Sequence, residues 1–409
     1  MLDKIKEGSS EVYVYKQEKV SKDLPVFYNP LMKLNRDISI ILLNSIDKNN
    51  MQIALPLAAS GIRGIRFLLE LKKNKIKNIT FNDNSKKAIT LIKKNLELNK
   101  LDNSKKIKLV NKDANLFLQE SKGFDYIDID PFGSPNFLLE SSITRLSRQG
   151  ILAVTATDTS GLSGTYPKVT KRKYFSKSLK NEFMHETGIR ILIKKVQLIG
   201  AHNEKALIPI FSYFKNHYYR VFFKCIKSKT KVDEILDLHG FILWCRNCLF
   251  RKVSFDIFNS VDCEKCRGKL DYAGSLWTGK LWDYDLVVDM INNTDPENKN
   301  LFEFLRIIKH ESEIFELEKD VVTNIMTEEY LNKTQLKNKI KKEYILDSLG
   351  FYDLHEIAKK YKIEKLPKIE KLISKIESEG NKVSRTHFSG TSLRTRIKIN
   401  ELVKIIKGV

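Results

Sequence analysis

Four of the five cysteines form a regular pattern that is typical of metal binding. Two residues separate Cys245 from Cys248, two separate Cys263 from Cys266, and fourteen residues separate the two pairs. Each CxxC turn directs two thiolates toward one ion, and this spacing is close to that of two-knuckle zinc sites. Four cysteine ligands predict a closed, structural zinc site, and four buried reduced thiols are the less favoured alternative. Cys225 lies outside the pattern and is expected in the core of a strand.

A second set of residues follows three successive strand candidates. Gly61 lies in the turn after the first strand, and Asp83 follows the second, twenty-two residues later. An acid at this separation commonly binds ribose hydroxyls. Asp113 follows the third strand and suits an adenine amino group, with the Ala114 amide beside it. Each acid alone is more often a helix cap, but together they favour a nucleoside site. The GxGxxG that cradles a pyrophosphate is absent from 59–64, so a cofactor without phosphates is indicated, and S-adenosylmethionine fits.

The most informative stretch is the apolar strand candidate Phe124–Ile129, which runs directly into Asp130-Pro131-Phe132-Gly133. It resembles the Asp/Asn-Pro-Pro-aromatic signature of methyltransferases that act on exocyclic amino groups of bases. Such an amine is a poor nucleophile because its lone pair is delocalised into the ring. The Asp130 carboxylate and a backbone carbonyl at the turn would hold the two N–H groups, and Asp130 would accept the proton. Phe132 would stack on the flipped base.

Motifs along nearly the whole chain extend this resemblance. The sequence resembles the tRNA guanine-N2 dimethyltransferases of archaea and eukaryotes, which methylate the guanine at tRNA position 26. The matching segments, in this order, are residues 26–30, 35–37, 60–66, 128–135, 155–158, 185–190 and 385–389.

The resemblance implies residue roles that the sequence alone leaves open. Arg36 and Arg66 are expected to contact S-adenosylmethionine, with its carboxylate as the natural partner. Asp83 is expected to bind the ribose, Asp113 with Ala114 is expected to bind the adenine, and Asp130 is expected to be the catalytic carboxylate. Without the resemblance, Arg36 would be interpreted as a surface charge, and the choice between Arg63 and Arg66 would stay open.

Two stretches combine several basic residues with aromatics and contain no acid. They span 168–180, which includes Phe175, and 382–398, which includes His387 and Arg394. Basic groups interleaved with aromatics suit phosphate contact and base stacking. In a chain with 50 acidic residues and a net charge of +22, they favour RNA contact over a merely solvated face. tRNA is therefore the expected partner, with the second domain as the natural binding unit.

Strand and helix signals alternate through the first half of the chain. Predicted strands span 52–57, 78–81, 106–110, 124–129, 150–155 and 218–226, and predicted helices span 84–99 and 136–147. This alternation predicts βαβ units and a parallel sheet. The expected fold is α/β: a Rossmann-like class I S-adenosylmethionine-dependent methyltransferase domain at 1–228. A smaller α+β domain at 229–409 would carry the four-cysteine zinc site and helices near 301–317 and 364–379.

Length and composition limit the class of protein. A chain of 409 residues predicts two to three domains, and 42% apolar with 30% charged residues excludes a disordered chain. No stretch of about 18 apolar residues predicts a membrane span, and the first twenty residues lack the apolar segment of a secretory signal. We therefore expect a cytoplasmic protein with no membrane partner, and no obligate protein partner is evident.

These observations together predict a tRNA (guanine26-N2)-dimethyltransferase that uses S-adenosylmethionine and a structural zinc. One alternative is an amino-methyltransferase that acts on adenine or cytosine in another RNA or in DNA. A second alternative is a zinc-dependent tRNA-binding protein with a degenerate cofactor site. The only support for this alternative is Leu55, because the resemblance implies that an acid usually stands at that position; Pro56 beside it is also unusual.

Overall fold

The computed structural model describes the chain in four segments, residues 2–16, 24–257, 262–316 and 348–409. A hairpin and one helix precede the main sheet. Their bounds are Leu2–Glu7 (β1), Ser10–Tyr15 (β2), Pro30–Met32 (a 3-10 helix) and Lys33–Ser45 (α1). The sequence signals did not predict these elements. The side chains of Asn95 and Asn99 exchange hydrogen bonds with the backbone of Tyr13 and Glu11, which fixes the hairpin to the body of the protein.

The main sheet follows the predicted alternation of strands and helices. Its first nine elements are Met51–Leu55 (β3), Ile62–Glu70 (α2), Ile76–Asn82 (β4), Lys86–Leu98 (α3), Ile107–Val110 (β5), Ala114–Gln119 (α4), Phe124–Ile129 (β6), Asn136–Arg145 (α5) and Leu146–Ala156 (β7). The next five are Thr159–Leu162 (α6), Pro167–Tyr174 (α7), Met184–His202 (α8), Lys205–Lys215 (β8) and Tyr218–Lys227 (β9). Every strand predicted for this half is present; β6 has its predicted bounds, and each of the others differs at one or both ends.

The strand order brings the chemistry-bearing loops together. The order is β5-β4-β3-β6-β7-β9-β8, in which β3 to β7 pair in parallel and β9 is antiparallel to both of its neighbours. Parallel strands place their carboxyl ends at one edge of a sheet. The loops after β3, β4, β5, β6 and β7 therefore gather at that edge.

Glycines allow helix α2 to pack closely against the sheet. A Cβ atom at Gly64 would lie 2.2 Å from the Phe81 ring and 2.7 Å from Leu55. Gly61 begins the helix with a φ of 79°, which is strained for residues with side chains. The two glycines therefore serve the turn and the helix–strand contact.

The second half of the chain contains two small sheets and six helices among its described residues. Its elements are Lys229–Leu236 (α9), His239–Cys245 (β10), Arg251–Ser254 (β11), Leu270–Trp277 (β12), Tyr284–Asn292 (α10), Lys299–Glu313 (α11), Tyr352–Asp353 (β13), Leu354–Tyr361 (α12), Ile369–Ser378 (α13), Val383–Thr386 (β14), Ser389–Thr395 (β15) and Ile399–Lys407 (α14). The sheets have the orders β11-β10-β12 and β13-β15-β14. Helices α11 and α13 correspond to the two predicted helices, and Leu317 lies outside the described residues.

One hydrophobic core continues across the predicted domain boundary. A single cluster of buried residues extends from Val12 to Ile406 and includes members of both halves. The division at 228/229 stays a prediction. In the described part of the chain, no helix combines the length and apolar character that crossing a membrane requires.

Candidate active site and metal centre

A cavity of about 280 Å³ opens at the carboxyl edge of the main sheet. Five parts of the chain meet there: residues 27–36, the loop after β3 with the start of α2, the end of β6 with the loop after it, the loop after β7 and the β8–β9 turn. Its lining includes Arg36, Arg63, Asp130, Phe132 and Tyr218. The topology thus brings the predicted catalytic pair, Asp130 and Phe132, together with one of the two predicted cofactor arginines.

Asp130 follows β6 directly and presents one carboxylate oxygen to a fixed partner. Its Oδ2 accepts a hydrogen bond from Arg63 at 2.5 Å, whereas Oδ1 accepts none from the described residues. Arg63 also donates to Ser39 Oγ at 3.1 Å, and its Nη1 lies 3.5 Å from Asp128 Oδ2. The Asp130 carboxylate is therefore anchored through one oxygen only.

Asp128 lies two residues earlier on the same face of β6 and is buried. Arg220 donates to its two oxygens at 3.0 and 2.6 Å, and the Tyr126 hydroxyl donates at 2.5 Å. Burial alone would raise the pKa of Asp128, but Arg220 and Arg63 more than offset it and hold that pKa below its usual value. The adjoining cations therefore keep Asp128 ionised in the wall of the cavity.

The turn that carries Phe132 is fixed to the loop after β7. The Gly133 amide donates to Thr157 Oγ1 at 2.6 Å, and the Thr157 amide donates to the Gly133 carbonyl at 2.9 Å. Phe132 is 54% exposed, and its ring lies 4.3 Å from that of Phe27 at an interplanar angle of 72°. The rings of Phe27 and Phe132 are thus among those that line the cavity, and the ring of Phe132 is exposed to solvent.

Both predicted cofactor arginines contact one carboxylate, Glu7 at the end of β1. Arg36 donates to Glu7 at 2.6 and 2.5 Å and lines the cavity. Arg66 donates to Glu7 at 2.9 Å, pairs with Asp37 and Glu70, and is not among the described residues that line the cavity. Burial alone would raise the pKa of Glu7, but the two guanidinium groups lower it. The structure therefore places Arg36 at the cavity and Arg66 away from its wall.

The three remaining predicted cofactor residues lie at the ends of β4 and β5. The Asp83 carboxylate accepts from the amides of Ala59 and Ser85 at 2.9 and 3.0 Å, which joins the loops after β3 and β4. Asp113 caps α4 through two amides of its first turn, and buried Ala114 begins that helix. The described lining of the cavity includes none of the three. Their ribose and adenine roles stay predictions.

The four patterned cysteines converge at the end of β10. The Sγ atoms of Cys245 and Cys266 lie 3.4 Å apart, those of Cys248 and Cys263 lie 3.6 Å apart, and all four are within 4.8 Å of one another. A tetrahedral ion with metal–sulfur bonds of about 2.3 Å requires sulfur atoms about 3.8 Å apart. The four thiols therefore fit one metal ion with no open position. Cys225 is buried in β9, as predicted.

Several site residues escaped the sequence reasoning. Glu7 and Tyr218 carried no signal, because only the fold brings Glu7 to Arg36 and Tyr218 to the cavity. Asn29 lay in a matching motif, and its carbonyl accepts from Arg36 at 3.1 Å. Arg63 precedes Arg66 by about one helical turn, so the sequence could not show which of them reaches the catalytic loop.

The first basic stretch forms an exposed stripe on α7. Lys168, Lys171 and Arg172 are exposed and follow the i, i+3, i+4 spacing of one helix face, and exposed Phe175 follows the helix directly with a φ of 52°. Phe175 is 69% exposed. No ion pair to Lys168, Lys171 or Arg172 occurs among the residues that the structure describes. This surface is free to meet an anion.

The second basic stretch is largely internal, so RNA contact by its central residues is contradicted. Arg394 is fully buried and pairs with Glu186 at 2.8 Å and Glu311 at 3.1 Å. His387 pairs with Glu311, and Phe388 is buried. The stretch contains no acid in sequence, but acids from distant helices meet it in the fold.

The fold and the cavity together define a class of protein. The main sheet has one antiparallel strand, and an acid-proline-aromatic turn lies at its carboxyl edge. These features are those of a Rossmann-like, S-adenosylmethionine-dependent methyltransferase. A four-cysteine cluster lies in the second half of the chain.

The chain belongs to the N2,N2-dimethylguanosine tRNA methyltransferase family, whose profile it matches over residues 8–319 and 308–407. It is 37% identical to the tRNA (guanine(26)-N(2)/guanine(27)-N(2))-dimethyltransferase of Aquifex aeolicus, covering 98% of this chain and 94% of that protein. It is 35% identical to the tRNA (guanine(26)-N(2))-dimethyltransferase of Methanosphaera stadtmanae, covering 99% and 96%. The structure of Trm1 from Pyrococcus horikoshii in complex with S-adenosyl-L-methionine has a TM-score of 0.79 and 30% identity, covering 99% of this chain and 100% of that one.

Proposed function

We propose that this protein transfers methyl groups from S-adenosylmethionine to N2 of the guanine at position 26 of tRNA. Family membership over the whole chain supports the reaction class, as do the names of its relatives. The observation that carries the proposal is the Asp130-Pro131-Phe132 turn, which stands in the wall of a cavity at the carboxyl edge of the sheet. With a tRNA substrate, the cytoplasm is the proposed compartment.

The residues around the cavity suit an amine nucleophile. Bound S-adenosylmethionine supplies an electrophilic methyl group, whose bond to sulfur breaks as the N2–carbon bond forms, with sulfur keeping the electron pair. Asp130 Oδ1 accepts an N–H of the guanine amine, orients its lone pair and takes the proton. Phe132 stacks on the extruded base through its exposed ring. The paired hydrogen bonds between Gly133 and Thr157 keep this turn in place.

The cofactor is proposed to lie across the ends of β3, β4 and β5. Arg36 is the predicted residue that reaches the cavity, where an amino-acid carboxylate would compete with Glu7 for its guanidinium. The Asp83 carboxylate accepts two amides and keeps lone pairs for ribose hydroxyls. The proposal also includes Arg66 as a contact of the cofactor, and Asp113 with Ala114 as the residues that bind its adenine.

The basic stripe of α7 is proposed to contact the tRNA backbone beside the target guanine. Asn136 donates to the carbonyl of Lys173 at 2.8 Å, and the Tyr174 hydroxyl donates to Asp158 at 2.8 Å. These bonds join α7 to the start of α5, which follows the catalytic turn, and to the loop after β7. Exposed Lys168, Lys171 and the ring of Phe175 then offer phosphate contacts and a stacking surface.

A matched pair of variants tests this surface. Replacing Lys168, Lys171 and Arg172 by Gln should weaken tRNA binding and flatten its salt dependence, while binding of S-adenosylmethionine is unchanged. The control replaces Lys73, Lys105 and Lys122 by Gln, since these exposed lysines precede β4, β5 and β6 at the opposite edge of the sheet. Equal losses in both triple variants would indicate a general charge effect and contradict a specific surface.

We also propose that the four-cysteine cluster holds one structural zinc ion. The donor set is all thiolate, the Sγ separations suit a tetrahedral ion, and the cluster offers no open position. Zinc therefore takes no part in methyl transfer and stabilises the β10–β12 sheet.

A non-catalytic tRNA-binding protein is the rival that one observation favours. Leu55 ends β3 and lines the cavity with an apolar side chain, where the resemblance implies that an acid usually stands. Saturable binding of labelled S-adenosylmethionine to the wild-type protein, lost in Asp83→Ala, would remove this rival.

Nucleoside mass spectrometry tests the reaction and its position together. Purified protein is incubated with S-adenosylmethionine and an unmodified tRNA transcript, and with transcripts in which guanine 26 or guanine 27 is replaced. We expect N2,N2-dimethylguanosine that disappears with guanine 26. Product that also depends on guanine 27 would match the two-position name of the Aquifex aeolicus relative. Methylated adenine or cytosine in other RNA or DNA, without methylated guanosine, would contradict the proposal.

A further inference from the structure

Arg63 is the residue that connects the Asp130 carboxylate to the buried ionic groups beneath the cavity. We infer that Arg63 is a positioning residue: it holds one oxygen of Asp130 so that the other is presented to the guanine amine. This inference rests on the proposed function, because it names how the proposed catalytic carboxylate is oriented.

The contacts of Asp130 define which oxygen is available. Oδ2 lies 2.5 Å from a guanidinium nitrogen of Arg63, and Oδ1 accepts no hydrogen bond from the described residues. A carboxylate that followed only its own rotamer preferences could rotate and exchange its two oxygens. The charge-assisted bond to Arg63 removes this freedom, so Oδ1 remains the oxygen of this cavity-lining carboxylate that is available as an acceptor.

Arg63 is itself held by groups that are fixed in the core. Its Nη1 donates to Ser39 Oγ at 3.1 Å and lies 3.5 Å from Asp128 Oδ2. Asp128 is clamped in turn by both terminal nitrogens of fully buried Arg220. Arg220, Asp128 and Arg63 therefore form a connected set of ion pairs from the core to Asp130. Such supporting contacts hold a reacting group within a fraction of an ångström of its position.

A single open oxygen suits both rounds of methylation. The unmodified amine carries two hydrogens, and Oδ1 accepts one while a second acceptor holds the other. The monomethylated amine carries one hydrogen, which Oδ1 still accepts. The same orientation of Asp130 therefore serves the first and the second transfer, and loss of Arg63 should slow both.

A double-mutant cycle tests the inference. Arg63→Gln, Asp130→Asn and the double variant are compared with the wild-type protein in single-turnover methyl transfer at saturating S-adenosylmethionine and tRNA. If Arg63 acts through Asp130, Arg63→Gln should lower the rate by about 10²-fold, and the double variant should be no slower than Asp130→Asn alone. Dissociation constants for S-adenosylmethionine and tRNA should change by less than about threefold, since the effect is on the reacting geometry.

Three results would overturn the inference. Fully additive losses in the cycle would mean that Arg63 acts independently of Asp130. An increase of about tenfold or more in the dissociation constant for S-adenosylmethionine, with the rate unchanged at saturation, would make Arg63 a cofactor ligand. Wild-type turnover in Arg63→Gln would remove any role.

Two further measurements keep the inference testable if Arg63→Gln folds poorly. Arg63→Lys keeps the charge and should retain more turnover than Arg63→Gln. Added guanidinium ion should restore part of the turnover of Arg63→Ala, and an absence of rescue in a folded Arg63→Ala protein would count against the inference. An inactive wild-type protein would instead refute the proposed function.

Discussion

Two acids on one face of β6 have different physical situations, so their substitutions should separate folding from catalysis. Asp128 is buried between Arg220 and Tyr126, whereas Asp130 lies in the cavity wall with one free oxygen. Asp128→Asn leaves the Arg220 guanidinium buried without its anion, which typically costs about 3–5 kcal/mol. We expect Asp128→Asn to lower the free energy of unfolding strongly, as measured by urea denaturation.

Asp130→Asn is the comparison for that variant. It should unfold near the wild-type denaturant midpoint, because a partly exposed carboxylate at a cavity contributes little to stability. Its methyl transfer should fall by about 10²–10⁴-fold, since the proton acceptor is lost. Near wild-type turnover in folded Asp130→Asn would mean that another group takes the proton.

Two half-buried histidines give the protein a defined pH dependence. Burial lowers the pKa of His185 to about 4, and burial together with Lys194 lowers that of His239 to about 4. Both are neutral in the folded protein at pH values where the unfolded chain, with histidine pKa values near 6.5, binds protons. Unfolding is therefore favoured as the pH falls from about 6.5 to about 4.

The measurement is the thermal midpoint across this range in the wild-type protein and in His239→Asn. The variant keeps a polar partner for Gln197, which lies 2.9 Å from the His239 ring nitrogen. We expect the midpoint of the variant to fall less steeply between about pH 6.5 and about pH 4.5. Identical slopes would show that His239 does not contribute.

At the residue scale, the sequence predicted what depends on local spacing and left open what depends on distant partners. The cysteine pattern and the acid-proline-aromatic turn are local, and the structure gathers the cysteines and places Asp130 and Phe132 in one cavity. Arg394 belongs to a stretch without acids, but its ion-pair partners Glu186 and Glu311 come from distant parts of the sequence. No local pattern could have identified them.

At the element scale, the contact between α2 and β4 depends on a missing side chain. A Cβ at Gly64 would meet the Phe81 ring at 2.2 Å, so Gly64→Ala must displace the helix or the ring. Overpacking of this kind costs about 1–3 kcal/mol, which thermal denaturation should detect as a lower midpoint. Gly390→Ala is the matched control, because no atom lies within 4 Å of the added methyl group. If Gly64→Ala lowered the thermal midpoint less than Gly390→Ala does, the proposed close packing at Gly64 would be contradicted.

The β10–β12 sheet should depend on the metal that its cysteines are proposed to hold. Two tight turns present the thiols: the Leu249 amide donates to the Cys245 carbonyl, and the Arg267 amide donates to the Cys263 carbonyl. We expect elemental analysis to find one zinc ion per chain, and Cys263→Ser to lose the ion and lower the thermal midpoint. Cys225→Ser should keep the ion. A wild-type protein without bound metal would contradict the proposal.

The alternation of strands and helices explains why the main sheet could be predicted while the N-terminal hairpin could not. Strand β6 is mostly buried, and four of its six residues are apolar or aromatic, so this composition is visible in the sequence. The hairpin of β1 and β2 is fixed by side chains from the end of α3, and β8 contains Pro209, which disfavours a strand and coincides with a register shift against β9. Elements defined by long-range contacts carry weak local signals.

At the scale of the whole molecule, a buried ionic cluster joins the two predicted domains. Glu186 on α8 pairs with Arg190 and with Arg394 on β15, and Arg394 also pairs with Glu311 on α11. Burial alone would raise the pKa of Glu186, but Arg394 and Arg190 more than offset it and lower that pKa to about 2. The carboxylate is therefore ionised at neutral pH and requires a cation from the other half of the chain.

This cluster and the continuous core predict that the two halves unfold together. Arg394→Gln leaves Glu186 and Glu311 buried with too little compensating charge, and such a loss typically costs about 3–5 kcal/mol. The three tryptophans all lie in the second half, so their fluorescence reports on that half, whereas far-UV circular dichroism reports on the entire chain. We expect both signals to shift to lower denaturant by the same amount and to remain coincident. Arg385→Gln is the control, because its pairing with Glu370 is exposed and should be worth less than about 1 kcal/mol. If only the fluorescence midpoint shifted to lower denaturant, the two halves would unfold independently. The boundary predicted at 228/229 would then separate two independent folding units.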